Sequence, residues 1–208
     1  MSDRVRFAIT VAISMALINV GLVSQASAGV LDGYAGAYND GSVTWTGSAP
    51  FSQGTLVGYV DYAVFGPGQF PFAGYTPTVG ELTYVYQVFE TGSAPLSSFS
   101  VTLSDLADSI GSFNGLAGMA PNSGVLVSGI SANWTFAGIV QGSNSEGLVF
   151  SSIRKPQNLF GSVVDTGQSG YAIPLPSPSN VSIPEPTSIL IALGMSFGLP
   201  LIRRRREV

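Results

Sequence analysis

The sequence contains no cysteine and no histidine among its 208 residues. Without cysteine the chain can form neither a disulfide framework nor a thiolate zinc site. Without histidine it lacks the most common general base and the most common transition-metal ligand. Serines are numerous, but no imidazole is present to activate one as a nucleophile.

Charge is also scarce: only 10% of the residues are charged, against roughly 25% in an average soluble domain. The basic residues cluster at the two ends, and only Arg154 and Lys155 lie between them. Residues 29–183 contain two basic and nine acidic residues, a net charge of −7. Because such a body repels phosphate backbones, the composition argues against nucleic-acid binding.

Familiar catalytic motifs are missing too. The chain has no P-loop, dinucleotide fingerprint, G-x-S-x-G elbow or metal-binding motif. Asp165-Thr166-Gly167 is a single copy of a triplet that aspartic proteases need twice, so we interpret it as a strand followed by a turn. We therefore expect a protein that is not an enzyme and needs no cofactor.

Hydrophobic residues make up 45% of the chain, and glycine (26) and proline (13) are plentiful. The hydrophobic residues alternate with period two most clearly over residues 81–90 and 55–65, which predicts strands. Turn signals separate shorter candidate strands at 42–46, 99–103, 124–128, 133–137, 147–151 and 160–164. We predict an all-β fold, an antiparallel β-sandwich of immunoglobulin-like or jelly-roll type over residues 29–173, with one helical turn at 104–110.

Residues 1–28 have the three parts of a secretory signal peptide. Two arginines precede an apolar run over residues 7–23, and Ala26 and Ala28 stand at the −3 and −1 positions of a cleavage site. We expect a signal helix, export by the general secretion machinery and cleavage after Ala28. The alternative is a signal anchor that is never cut.

The C-terminal part is predicted to be a spacer followed by a membrane segment. Residues 174–183 are rich in proline and serine, too much so for a helix or a central strand, and favour an extended spacer. Residues 187–202 are apolar and uncharged, slightly short of the roughly 20 residues that span a bilayer. Clusters of positive charge are retained in the cytoplasm. The body is therefore predicted to lie on the outer side of the membrane, and the four terminal arginines on the cytoplasmic side: Arg203, Arg204, Arg205 and Arg206.

Pro184, Glu185 and Pro186, followed by a short apolar helix and a terminal arginine cluster, resemble the PEP-CTERM sorting signal of exported bacterial proteins. The resemblance covers residues 184–208. It implies that an exosortase, a membrane-embedded transpeptidase, recognises the three-residue motif and processes the tail. It also implies that residues 187–202 anchor the protein only transiently in the inner membrane, and that the protein accompanies exopolysaccharide and biofilm production.

Candidate sites in the body are few. Asp105 and Asp108, three residues apart, are weak candidates for calcium binding, and Asp32 and Asp40 are a weaker pair. Two carboxylates are also what a glycoside hydrolase requires. A stacking platform for sugar rings could be formed by the aromatic residues Tyr34, Tyr38, Trp45, Tyr59, Tyr75 and Trp134, of which we expect the two tryptophans in the core.

These observations predict a non-enzymatic protein of the cell surface or extracellular matrix, sorted by exosortase-type processing and associated with exopolysaccharide. The alternatives are a carbohydrate-binding module, assisted by calcium or not, and a glycoside hydrolase. A binding module requires exposed aromatic residues or a polar site, and a hydrolase requires two acids about 5–10 Å apart in a cleft.

Overall fold

A computed structural model describes residues 29–127, 130–165 and 171–182. The described residues form an all-β structure of two antiparallel sheets, and no helix long and apolar enough to cross a membrane occurs among them. The predicted signal segment, the sorting motif, the helix at 187–202 and the arginine cluster lie outside the described residues.

Eleven strands build the two sheets. The first sheet has the order β1-β2-β3-β9-β5, with β8 paired to β3, and the second has the order β11-β10-β4-β7-β6. The strands are β1 (Thr46–Gln53), β2 (Leu56–Phe65), β3 (Leu82–Glu90), β4 (Leu96–Thr102), β5 (Asp108–Phe113), β6 (Ser123–Val127), β7 (Ser131–Ile139), β8 (Ser143–Asn144), β9 (Gly147–Ser152), β10 (Arg154–Asp165) and β11 (Tyr171–Ser182).

The two sheets share one core of large aromatic side chains. Trp134 of β7 is fully buried and stacks on Phe99 of β4, with ring centroids 5.7 Å apart. Its Nε1–H donates to the carbonyl oxygen of Gly111 in β5, at 2.9 Å, and so links the second sheet to the first. The predicted core position of Trp134 is confirmed.

A second apolar cluster covers the outer face of the first sheet. Phe65 and Phe113 are its buried aromatic members, and Phe70, Phe72 and Tyr75 from the connecting segments pack against them. Because this cluster covers the outer face of the first sheet, β3 and β9 are buried on both faces. A strand with one face in water would instead alternate between buried and exposed residues. Tyr34 and Tyr38 are half-buried, and so is Trp45, which was expected in the core.

Most predicted strands are confirmed, with shifted ends, but two predictions are wrong. The expected helical turn at 104–110 is absent: residues 104–107 are irregular and β5 begins at Asp108. The expected strand at 42–46 is only an isolated bridge between Asn39 and Thr44, and β1 starts at Thr46. Side-chain partners explain the first difference, because Ser104 donates to the Pro178 carbonyl oxygen instead of capping a helix.

Residues 174–182 of the predicted proline-rich spacer are extended, as predicted, but they belong to a strand and not to a spacer. Strand β11 pairs with β10 from Tyr171 to Ser182, and Leu175 is fully buried in the core. Proline is tolerated because β11 is the edge strand, where one side of the backbone needs no ladder partner. The ordered sheet therefore extends past Ile173, the predicted end of the body.

Candidate functional site

Small, uncharged polar side chains line the outer face of the second sheet along β4 and β7. Residues of β4 and β7 that alternate with core positions stand opposite one another in three rows: Ser98 opposite Thr135, Ser100 opposite Asn133, and Thr102 opposite Ser131. Ser162 and Ser123 extend these rows into β10 and β6. We call this set the Ser/Thr face: Ser98, Ser100, Thr102, Ser123, Ser131, Asn133, Thr135 and Ser162.

Hydrogen bonds between strands orient several side chains of the Ser/Thr face. The Ser100 and Ser162 hydroxyl oxygens are 2.7 Å apart, and those of Ser123 and Thr135 are 2.8 Å apart. A hydroxyl group has one donor and two acceptor positions, so each keeps capacity for a further hydrogen bond. The face therefore offers oriented donors and acceptors to an uncharged polar ligand.

Exposed apolar side chains flank the Ser/Thr face. Phe160 of β10 is 61% exposed, and Val125 and Val127 of β6 are exposed along the opposite edge strand. Hydroxyl groups between apolar borders are the chemistry that suits sugar rings, whose edges are polar and whose faces are apolar. The predicted aromatic platform is not what the structure presents, since most of those aromatic residues pack into the two cores.

The alternation of hydroxyl and apolar residues at 98–102 and 131–136 was visible in the sequence. It indicated strands, but not that β4 and β7 are neighbours. Only the pairing of β4 with β7, in which opposite polar residues are 29 to 37 positions apart along the chain, brings these residues together. Sequence reasoning therefore missed the Ser/Thr face, although its local signal was present.

Asp105 and Asp108, the predicted calcium candidates, have different partners. Asp105 Oδ2 forms an ion pair with Arg154 Nη2 at 2.9 Å. Asp108 lies near Glu81, and its proximity raises the pKa of the Glu81 carboxyl group. Among the residues that the structure describes, no group of three or more acidic side chains is arranged to hold a metal ion.

The Glu81–Asp108 pair was not predicted and joins residues 27 positions apart. Glu81 is only 6% exposed, and its pKa is raised by burial and by the neighbouring Asp108, against hydrogen bonds from Ser151 and Thr78. Beside the pair, Thr78 also lines an open groove of about 400 Å³ with Pro67, Gly68, Phe70, Pro77, Val79 and Gly80.

Asp40, of the weaker candidate pair, organises a turn. Its carboxylate accepts hydrogen bonds from the backbone N–H groups of Val43 and Ser42, the Ser42 hydroxyl and the Trp45 indole N–H. These hydrogen bonds lower the pKa of Asp40 well below its usual range. The carboxylate oxygens of Asp40 are thus occupied by hydrogen bonds within the loop.

The other predicted site residues lie outside the described part of the chain: Ala26, Ala28, Pro184, Glu185, Pro186 and Arg203 to Arg206. Asp165 ends β10 and is buried, and the two residues that follow it are also outside that part. No protein-family model, no curated protein and no solved structure matches this chain.

Proposed function

We propose that the protein is exported and displayed at the cell surface or in the extracellular matrix, where its Ser/Thr face contacts polysaccharide. In this account the domain is a sandwich of immunoglobulin-like or jelly-roll type, preceded by a signal helix and followed by a membrane helix at 187–202. An exosortase-type transpeptidase would recognise Pro184, Glu185 and Pro186. The two sheets are built from residues 46–182, between the two predicted targeting segments, which supports this organisation.

The observation that most favours polysaccharide is the Ser/Thr face itself. Its rows of hydroxyl groups run across four neighbouring strands without a charged side chain. A flat, uncharged and hydrogen-bonding surface fits a neutral sugar chain better than an ionic ligand. The net charge of −7 in residues 29–183 disfavours acidic polymers, so we expect the ligand to be neutral.

Sedimentation with insoluble polysaccharide tests this function. The chain from Gly29 onward is incubated with cellulose, chitin or the exopolysaccharide of the producing organism, with and without a calcium chelator. Thr102→Lys and Thr135→Lys place charges on exposed positions of the Ser/Thr face, and Ser52→Lys is the matched control on the first sheet.

We expect saturable binding that falls at least about tenfold in the two face variants, since about 1.4 kcal/mol is lost when hydroxyl contacts are replaced by a cation. The control should bind like the original chain. Equal binding by all variants would contradict a role for this face. Binding that is lost only when the chelator is present would favour the alternative of a calcium-assisted carbohydrate-binding module.

A further inference from the structure

Asp61 is a buried carboxylate without a conventional partner. It lies on β2, on the face opposite the main core, and is 0% exposed. Among the described residues, no hydrogen bond of normal geometry reaches either of its oxygens. Its cross-strand neighbour Gln87 donates its amide to the carbonyl oxygens of Ala117 and Ser145, at 3.1 and 2.9 Å, and so is committed elsewhere. An isolated charge in such a position is strongly destabilising.

Gly29 lies directly over this carboxylate. A Cβ at Gly29 would overlap Asp61 Oδ2 and come within 3.0 Å of Phe89 Cζ, so only glycine allows this approach. The Gly29 N–H and the Ser48 hydroxyl are near enough to lower the pKa of Asp61, but burial outweighs them and raises it. The backbone of Gly29 therefore lies close to a carboxylate that has no cationic partner among the described residues.

The described residues offer no side-chain cation for this role. Arg154 is paired with Asp105, and the adjacent Lys155 is the only other basic residue in residues 29–183. The charge that affects the pKa of Asp61 is that of Asp32, which is also negative and raises it. The neighbouring Tyr59 is neutral at physiological pH. A positive charge at Asp61 must therefore come from the backbone.

Gly29 is the residue that follows the predicted signal cleavage site. Hydrolysis of the Ala28–Gly29 peptide bond adds water across the C–N bond. The carboxylate stays on Ala28, and the amine of Gly29 becomes an ammonium at neutral pH. One amide N–H is thereby replaced by a positive charge with three donors, on a residue whose backbone already lies close to Asp61.

We propose that signal cleavage creates an α-ammonium on Gly29 that forms a buried ion pair with Asp61, so that export completes the electrostatics of the fold. The inference rests on the proposed export and on cleavage after Ala28. A consequence is that the precursor is less stable than the mature domain. Tight folding then follows translocation and does not precede it.

The test uses residues 29–208 in detergent, produced behind a fusion partner that a protease removes to leave Gly29 first. Melting temperatures are measured before and after cutting. We expect cutting to raise the Tm by about 5 °C. The rise in Tm should vanish in Asp61→Asn, because the carboxylate is removed. It should also vanish in a chain cut so that Ala28 is the first residue, because the ammonium is then displaced from Gly29.

Asp61→Asn should also have opposite effects in the two forms. In the uncut chain it removes an unpaired charge and should leave the Tm unchanged or raise it; in the cut chain it should lower the Tm. Glu81→Gln is the matched control, a second buried carboxylate that immediately precedes β3, and its effect should be the same before and after cutting.

An equal Tm before and after cutting, or an equal rise in Asp61→Asn, would overturn the ion pair and leave the export proposal intact. Mass spectrometry of the exported protein tests the other premise. A mature N-terminus other than Gly29 would show that the ion pair does not form in the cell, whatever the engineered chain does.

Discussion

Trp134 shows how one side chain joins the two sheets. Its ring is packed among aromatic residues of both sheets, and its indole N–H donates to Gly111 across the core. A buried indole N–H without a partner would cost about 1–3 kcal/mol, a cost that the hydrogen bond to Gly111 avoids. Trp45, the only other tryptophan, is half-buried and donates to the exposed Asp40.

We predict that Trp134→Phe lowers the free energy of unfolding by about 2 kcal/mol, because it removes the inter-sheet hydrogen bond and part of the buried volume. Trp45→Phe, the matched control, should cost less than about 1 kcal/mol, since its lost hydrogen bond is exposed to water. Urea unfolding followed by tryptophan-independent circular dichroism measures both. Equal losses would mean that the Gly111 contact contributes nothing.

At the scale of the element, β11 decides where the domain ends. Proline at 174, 176 and 178 would disrupt a central strand, but on an edge it also blunts the exposed ladder against pairing with other chains. The strand is held from inside the sheet: Leu175 is buried and Tyr86 donates its hydroxyl to the Pro176 carbonyl oxygen. Any tail after residue 182 therefore leaves from a strand anchored in the core.

Leu175→Ala should lower the free energy of unfolding by about 2–5 kcal/mol, as expected for a large-to-small change in a core. Phe160→Ala, in the neighbouring strand, removes a larger but exposed side chain and should change stability by no more than about 0.5 kcal/mol. Thermal unfolding of the two variants separates the possibilities. A neutral Leu175→Ala would restore the interpretation of 174–183 as a spacer.

At the scale of the whole molecule, the domain carries unusually many buried acids for its few charges. Burial raises the pKa of Asp61, Glu81 and Glu90 above the ordinary values of 3.8 and 4.5. Each of these groups binds a proton more tightly in the folded state than in the unfolded state. Their contribution to the free energy of unfolding therefore grows as the pH falls through the pKa of the folded state. It is complete below the pKa of the unfolded state.

We predict that the Tm rises by at least about 3 °C when the pH is lowered from 8 to 5. Glu81 and Glu90 supply this rise in both forms of the chain, and Asp61 only where Gly29 has no free ammonium. Below about pH 4 the trend should reverse, because hydrogen bonds lower the pKa of Asp40 in the folded state, so that the unfolded state takes up a proton at this position first.

Circular dichroism across pH 3–8 measures the profile, and in the chain that begins at Gly29 a double variant Glu81→Gln and Glu90→Gln should flatten it between pH 5 and 8. A Tm that increases with pH over that range would contradict the assignment. The direction also distinguishes this chain from proteins whose carboxylates are paired with cations, which lose stability on acidification.

The sequence by itself determined the all-β class and the approximate place of most strands, because side-chain alternation is a local property of one strand. Only the tertiary structure decided that β4 pairs with β7 and β10, that β11 completes the sheet, and that loops cover the outer face of β3. The Ser/Thr face, the Glu81–Asp108 pair and the approach of Gly29 to Asp61 all join residues distant along the chain. Which distant strands become neighbours depends on the packing of the whole core, and periodicity within single strands does not encode it.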